Sequence, residues 1–460
     1  MSETTKNRQK RIDSINDVSP SFCLAKWLQV TIDLVHGTNH SCHHPKRHVI
    51  PLKELEQNPS ALHNTNFKKE KRKEMLDGKR PSECEYCWQI EDSEGDENSD
   101  RLIKSLDHWA YPHKEKVANL PWDSDIAPTY VEVMFDKGCN LACGYCIADV
   151  SSRIEQEIKK FGPYKELIDH RLQRNEKVSD DETKNPYVVA FWKWFPEIIE
   201  NLNTFRITGG EPLMSVNTFK VLDYLKENKA ENLTLAVNTN LCVTDSVIDK
   251  FIKNLKEVLD KKHIKKFELF TSVDAYKEQA EHIREGLNYQ QLLSNIEKFK
   301  NELGVDVIIN CTFGIYSIPK FDLFLDDIYK LKQKYSRIIL DISYLNHPRY
   351  LRANLITEEF HETLRNSLEF MGSRVADFGG NSFSQYEVEK FRRVYHWIVT
   401  RVSSSEQAQN RADLYTFMTQ FDKRYKKDFL TAFPEYKKLM LQCEKSYYFI
   451  KKLTVGEDYV

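Results

Sequence analysis

Three cysteines stand close together in the segment Cys139-Asn140-Leu141-Ala142-Cys143-Gly144-Tyr145-Cys146. The C-x3-C-x2-C spacing suits the binding of a 4Fe–4S cluster by three thiolates. Because such a cluster has four irons, one iron then lacks a protein ligand and is open to a substrate or cofactor. The same residues could supply three ligands of a zinc ion, so the spacing alone leaves both interpretations open.

A second set of four cysteines lies nearer the N-terminus, and its members are Cys23, Cys42, Cys84 and Cys87. Four cysteines can bind all four irons of a further 4Fe–4S cluster. A zinc site is the alternative, which the neighbouring His43, His44 and His48 keep open. The remaining three are isolated and are predicted to be buried apolar side chains: Cys242, Cys311 and Cys443.

The composition narrows the classes of protein to consider. The chain has 460 residues, with 67 basic and 69 acidic side chains and a net charge of −2, so nothing favours nucleic acid or a membrane surface. The sequence contains no long apolar run and does not begin like a signal peptide, so we expect a cytoplasmic protein. In a reducing compartment, clustered cysteines indicate metal or redox ligands rather than disulfides.

The elements that must position these residues are predicted strands and helices that alternate along the chain. Apolar, β-branched runs occur at residues 130–135, 204–208, 233–238, 267–273, 305–312 and 337–344. Helical patterns lie between them at residues 216–228, 245–261, 289–303 and 320–335. Alternating strands and helices predict parallel βαβ units. We therefore expect an α/β fold, a partial (β/α)6 TIM-like barrel with its active site at the carboxyl ends of the strands.

These motifs together resemble the radical S-adenosylmethionine (SAM) superfamily over residues 128–345. The cysteine triplet, with Tyr145 before its last cysteine, is similar to the cluster-binding signature of that family. After the second strand, Thr208-Gly209-Gly210-Glu211-Pro212 matches the family's GGEP motif. The third strand ends in Asn238-Thr239-Asn240 and the fourth in Ser272-Val273-Asp274, which are similar to family segments that line the SAM site.

The resemblance implies a role for each of these residues. Cys139, Cys143 and Cys146 would hold the catalytic 4Fe–4S cluster, and Tyr145 would lie beside the adenine of SAM. The segment Gly209–Pro212 would line the site, with Gly210 and Glu211 at the SAM ammonium, where a glycine lets the backbone approach closely. Residues at the ribose or carboxylate of SAM would be Asn238, Ser272, Asp274 and Arg284. Helix capping by Ser272 and Asp274, and a solvated charge at Arg284, are the alternatives.

The second cysteine set resembles the auxiliary-cluster module called the twitch domain, a shortened relative of the SPASM domain. The pattern is C-x13-G-x4-C followed by a distant C-x2-C. Residues 27–33 alternate like a strand, and Gly37 suits the turn of a hairpin that brings Cys23 and Cys42 to one end. Such modules usually follow the barrel, whereas this one precedes it.

The predicted domain boundaries follow from these assignments. We expect a disordered tail at 1–20, an auxiliary iron–sulfur module at 21–90, a linker at 91–127, a barrel at 128–345 and a helical region at 346–460. Within the last, helices are predicted at 357–371, 384–402, 404–427 and 434–448.

The resemblance implies reductive cleavage of SAM to methionine and a 5′-deoxyadenosyl radical, which abstracts hydrogen from a substrate. An auxiliary cluster fits an oxidation, with a peptide or protein side chain as the substrate and a carbohydrate-like or nucleotide molecule as the alternative. Flavodoxin or ferredoxin would supply electrons. A rival from another class is a zinc-stabilised module that binds RNA or protein, which has no reason to carry the GGEP segment.

Overall fold

The computed structural model describes residues 3–93, 98–179, 181–399 and 404–456. In chain order, its strands are β1 (Gln29–Asp33), β2 (Thr38–His40), β3 (His48–Val49), β4 (Tyr130–Met134), β5 (Ala142–Cys143), β6 (Thr204–Thr208), β7 (Ala230–Thr239), β8 (Ile264–Ser272), β9 (Arg284–Glu285), β10 (Asp306–Phe313), β11 (Ile338–Tyr344), β12 (Val375–Ala376) and β13 (Phe383–Ser384).

The helices in chain order are α1 (Glu3–Asn16), α2 (Leu24–Leu28), α3 (Leu52–Gln57), α4 (Asn66–Leu76), α5 (Glu85–Glu91), α6 (Asp100–Ser105), α7 (Lys114–Ala118), α8 (Ser152–Phe161), α9 (Pro186–Ile198), α10 (Val216–Glu227), α11 (Asp245–Asp260), α12 (Lys277–Ile283), α13 (Tyr289–Leu303), α14 (Phe321–Lys334), α15 (His361–Gly372), α16 (Gln385–Val399), α17 (Ser404–Tyr425), α18 (Phe429–Ala432) and α19 (Lys437–Gly456). None of these described helices is both long and apolar enough to cross a membrane.

The chain divides into two compact units, each built from several segments. The first unit comprises residues 1–136, 175–237 and 254–267. Its strands are hydrogen-bonded in the order β7-β6-β4-β1-β2-β3. Strands β7, β6, β4 and β1 run parallel, whereas β1, β2 and β3 form antiparallel hairpins. Gly37 turns the chain between β1 and β2 with a φ of 63°, as the sequence predicts.

The second unit comprises residues 137–174, 238–253 and 268–460. Its parallel strands are ordered β11-β10-β8, with β8 pairing from residue 268 onward. A small antiparallel pair joins β5 to β9. Six strands predicted from the sequence are thereby confirmed as β4, β6, β7, β8, β10 and β11, and the intervening helices as α10, α11, α13 and α14. The fold is α/β with a parallel-rich sheet, as predicted.

The N-terminal region differs from the predicted boundaries. The segment expected to be a disordered tail forms helix α1, because Ile12 and Ile15, three residues apart, are buried in an apolar core. Residues 91–127, expected to be a linker, include helices α6 and α7, and Leu102 and Val117 are buried in that same core. Together with the predicted module, they belong to the first unit.

The C-terminal region is helical, as predicted, and α15, α16 and α17 lie close to the expected bounds. Helix α19 continues to Gly456, beyond the predicted end at residue 448, and the short helix α18 was not predicted. Residues 400–402 of the predicted 384–402 helix lie outside the described residues. The boundary predicted at residue 345 has no counterpart, because residues 268–460 belong to one unit. Two of the isolated cysteines, Cys311 and Cys443, are fully buried as predicted. The prediction was wrong for Cys242, which is half-buried, with its Sγ 3.5 Å from the carbonyl oxygen of Asn288.

Candidate active site

The cysteine triplet lies in the second unit on a loop held by backbone pairing. Cys143 pairs with Arg284 across the β5–β9 ladder, and the Gly144 amide donates to the Ile283 carbonyl at 2.7 Å. A Cβ on Gly144 would lie 2.7 Å from the Cδ1 of Ile283, so a larger residue there would require that side chain to shift. The amide of Cys146 donates to the carbonyl of Cys143 at 3.0 Å, which closes the loop between the last two cysteines.

A buried carboxylate, Asp274, organises the groups beside this loop. Its oxygens accept hydrogen bonds from Arg284 Nε at 2.6 Å and Nη2 at 3.1 Å. They also accept from the Tyr145 hydroxyl at 2.7 Å and from the Thr312 amide at 2.8 Å. Asp274 is 0% exposed and Arg284 is 6% exposed. Neither residue therefore behaves as the helix cap or solvated charge that the sequence left as alternatives.

Arg284 connects the carboxylate to the triplet. Its Nη1 lies 3.8 Å from the Sγ of Cys143, and its guanidinium carbon lies 5.4 Å from the ring centre of Tyr145. Burial raises the pKa of the Cys143 thiol, and the positive charge of Arg284 opposes that rise. Burial likewise raises the pKa of Cys146 to about 12. A bound metal would reverse this situation, since its charge removes the thiol proton.

The other residues predicted for the SAM site in this unit are Asn238 and Ser272. Both are half-buried, Asn238 within β7 and Ser272 at the end of β8. The nearby Asn240 bonds directly to the triplet loop, since its Nδ2 donates to Asn140 Oδ1 at 2.8 Å. Asn140 in turn donates to the Cys242 carbonyl at 2.8 Å.

Two residues of this site were not assigned a role from the sequence. The ring of Tyr316 stacks on Tyr145 at a centroid distance of 5.9 Å and an interplanar angle of 11°. Tyr316 is fully buried just beyond the end of β10, so its place after a strand was the available signal. Ser152 accepts a hydrogen bond from the Cys139 amide at 3.0 Å and fixes the start of the loop.

The GGEP segment lies in the first unit, immediately after β6. Gly209 has a φ of 126°, and a Cβ there would lie 2.5 Å from the carbonyl oxygen of Asp136. The Gly210 amide donates to that same oxygen at 3.2 Å. Glu211 is 2% exposed, and its carboxylate accepts from the Leu213 amide at 3.0 Å, which caps the short turn that begins at Pro212. The sequence of this segment therefore specifies a tight, rigid turn.

The second cysteine set also comes together within the first unit, where all four thiols line one cavity: Cys23, Cys42, Cys84 and Cys87. Cys23 lies at the N-terminus of α2, Cys42 follows β2, and Cys84 and Cys87 lie at the start of α5. Each is at most 9% exposed. Burial raises the pKa of Cys42 to about 12, of Cys84 to about 11 and of Cys87 to about 12.

One buried cation, Lys26, lines this cavity. Its Nζ forms an ion pair with the carboxylate of Glu83, the residue next to Cys84 in the chain. Burial alone would lower the pKa of Lys26, but Cys84 and Glu83 outweigh burial and hold it above its usual value. At the cavity, His44 Nε2 lies 2.6 Å from Asp100 Oδ2, and its ring stacks on Tyr86 at 3.7 Å.

The chemistry of the two donor sets can be compared with what a metal needs. Over the described ranges, no three or more His, Cys, Asp or Glu side chains are grouped as ligands of a single metal ion. Both sets consist of thiols, the donors that iron–sulfur clusters take, with three in one set and four in the other. The residues present therefore fit an open and a fully ligated cluster.

No family model and no curated protein matches the chain. Solved structures similar to it include hexahistidine-tagged anSMEcpe with bound AdoMet, at 17% identity and a TM-score of 0.34 over 53% of this chain and 58% of that chain. Native anSMEcpe with bound AdoMet matches at 18% identity and 0.34, over 53% and 61%. Its complex with AdoMet and the Cp18Cys peptide matches at 17% and 0.31, over 53% and 60%. The chain spans about three fifths of the length of these neighbours.

Proposed function

We propose that this chain is a radical SAM enzyme in which Cys139, Cys143 and Cys146 hold a 4Fe–4S cluster with one iron open to SAM. The observation that carries the proposal is the buried Arg284–Asp274 pair directed at the triplet, with a guanidinium nitrogen 3.8 Å from the Cys143 sulfur. A fixed cation beside the Cys143 thiol suits both an anionic cluster and the carboxylate of SAM.

When bound, the cluster and SAM supply reductive cleavage to methionine and a 5′-deoxyadenosyl radical, which abstracts hydrogen from the substrate. The chain's own residues bind and orient these groups. Arg284 binds the SAM carboxylate, and Asp274 holds the guanidinium in place through two hydrogen bonds. Tyr145, fixed by Asp274 and by its stack on Tyr316, lies beside the adenine.

The remaining contacts to SAM follow the family resemblance. The Gly210 backbone and Glu211 bind the ammonium of SAM, and Gly209 and Pro212 form the turn that presents them. Asn238 and Ser272 bind the ribose or the carboxylate. The turn at Gly209 supports this role, because its φ of 126° and its close approach to the Asp136 carbonyl fix the backbone that precedes Gly210, where a glycine lets a ligand approach closely.

The second cysteine set would hold an auxiliary 4Fe–4S cluster, which would supply an electron acceptor for the oxidation of the substrate. Four buried thiols around one cavity support this assignment. The substrate class that we propose is a peptide or protein side chain, with a small carbohydrate-like or nucleotide molecule as the alternative. A reduced flavodoxin or ferredoxin supplies the first electron. The two sets of clustered, unpaired cysteines suit a reducing, cytoplasmic setting.

The test is the formation of 5′-deoxyadenosine from SAM by anaerobically reconstituted protein with dithionite. Cys143→Ala should abolish the product, because it removes one of three ligands of the catalytic cluster. Cys443→Ala is the matched control, since Cys443 is also buried but lies on α19. Equal 5′-deoxyadenosine formation by Cys143→Ala and wild type would overturn the site assignment.

Iron content separates the proposal from its rival. Two clusters require about eight irons per chain and a brown protein. Four irons with zinc would restrict the proposal to the triplet and make the second set structural. Colourless protein that contains only zinc would favour the zinc-stabilised binding module and would overturn the radical SAM proposal.

A further inference from the structure

The cavity lined by the auxiliary cysteines contains a charge arrangement that its role as a ligand set does not require. Lys26 is 1% exposed, lines this cavity together with the four cysteines, and forms an ion pair with the carboxylate of Glu83, the residue next to Cys84. The second deeply buried cation at this cavity, Arg101, is committed elsewhere: it donates to the carboxylate of Glu91 and to the carbonyl of Phe22. Lys26 therefore places a buried positive charge at the cavity that the four thiols line.

We propose that Lys26 sets the reduction potential of the auxiliary cluster and keeps it high enough to accept an electron from the substrate. This inference rests on the proposed function, namely on a 4Fe–4S cluster at these four cysteines. The potential of such a cluster depends on nearby charge, on hydrogen bonds to its sulfurs and on exposure to solvent. Lys26 contributes a positive charge in a buried site beside these thiols, where charge interactions are strong.

The charge of Lys26 acts on the electron transfer that completes the oxidation of the substrate. After hydrogen abstraction, the substrate radical loses one electron and releases one proton to water as it becomes the oxidised product. The auxiliary cluster takes that electron and gains one negative charge. Because a cation stabilises the added charge, Lys26 favours this transfer, whereas the Glu83 carboxylate opposes it.

The two partners consequently have opposite effects. Lys26→Met removes the cation and leaves Glu83 alone beside Cys84, so it should lower the potential. Glu83→Gln removes the anion and keeps Lys26, so it should raise the potential. A purely structural pair would give no reason for shifts of opposite sign, because either substitution breaks the same ion pair.

The experiment is a redox titration followed by electron paramagnetic resonance, on the reconstituted full chain with the three triplet cysteines replaced by alanine. Only the auxiliary cluster then reports. We expect Lys26→Met to lower the equilibrium constant for reduction at least tenfold, which is about 59 mV for one electron. The matched control is Lys332→Met, because Lys332 is also 1% exposed and is paired with a buried glutamate, Glu387. This control should leave the potential unchanged.

Each outcome decides the matter. Equal potentials for wild type and Lys26→Met, or a lower potential for Glu83→Gln, would overturn the role of Lys26 and leave the cluster assignment intact. If Lys26→Met does not load iron, the upward shift for Glu83→Gln is the deciding result. Absence of iron from the background protein would overturn the auxiliary cluster and the role of Lys26 together, while 5′-deoxyadenosine from the intact triplet would still support the radical SAM proposal.

Discussion

Replacement of Asp274 by alanine should destabilise the second unit strongly. The carboxylate is 0% exposed and accepts four hydrogen bonds, two of them from Arg284. Asp274→Ala leaves the Arg284 guanidinium, 6% exposed, without its counter-charge. Breaking a buried ion pair from one side costs about 3–5 kcal/mol, since the remaining charge has lost its solvation without compensation.

The assay is urea denaturation of the apoprotein followed by circular dichroism, with the free energy of unfolding compared among variants. The matched control is Asp249→Ala, which breaks the exposed ion pair to Lys298 in the same unit and should cost about 0.2–1 kcal/mol. The double variant Asp274→Ala, Arg284→Met should recover part of the loss, because it also removes the uncompensated charge.

Two results would refute this reasoning. Asp274→Ala within about 1 kcal/mol of wild type would mean that the pair is solvated like a surface ion pair. A double variant no more stable than Asp274→Ala alone would mean that the cost does not come from the buried guanidinium.

Gly209→Ala should lower the free energy of unfolding by more than Gly304→Ala, because its Cβ would lie 2.5 Å from a backbone oxygen, whereas a Cβ at Gly304 meets nothing within 4 Å. Gly304→Ala should cost only the strain of a left-handed backbone, about 1–2 kcal/mol; equal losses in urea denaturation would contradict this. Hydrogen bonds from Lys137 and Lys159 lower the pKa of Glu155 from 4.5 to about 2. The stability that Glu155 contributes is therefore present above about pH 4.5 and lost as the pH falls toward 2. Glu155→Gln should flatten the stability profile over that window, and an unchanged slope in acid denaturation would contradict the ion pairs.

The strands of the parallel sheet were predictable because the local sequence pattern of each strand agrees with its position in the fold. The run at residues 204–208 is β-branched, ends at a glycine pair and forms β6 over the same residues. Residues 289–303 carry a period of 3.6 and form α13. In both cases, the apolar residues that the sequence pattern predicts to be buried are buried in the folded strand or helix.

The N-terminal region was less predictable, because its structure depends on contacts distant in sequence. Strand β1 pairs in register with β4, about a hundred residues later, and no local signal specifies that partner. Helix α1 is so polar that its two isoleucines, Ile12 and Ile15, were the only indication of a buried face. The tail and linker were assigned from polarity, whereas a few apolar side chains determine their packing.

At the candidate site, residue types were predictable and their partners were not. Motif spacing identified the two cysteine sets, and the family resemblance identified Asp274 and Arg284. That these last two form a buried pair beside Cys143 depends on the β5–β9 ladder, a contact between two-residue strands. Lys26 had no motif at all, and only its burial in the cavity lined by the four cysteines reveals it.

The central claim is that three cysteines leave one iron of their cluster open to SAM. Electron paramagnetic resonance of the dithionite-reduced, anaerobic protein tests it most directly. Addition of SAM should change the spectrum of the wild type and of Cys443→Ala, and should have no such effect on Cys143→Ala. An iron-loaded wild-type protein whose spectrum is unchanged by SAM would contradict the account.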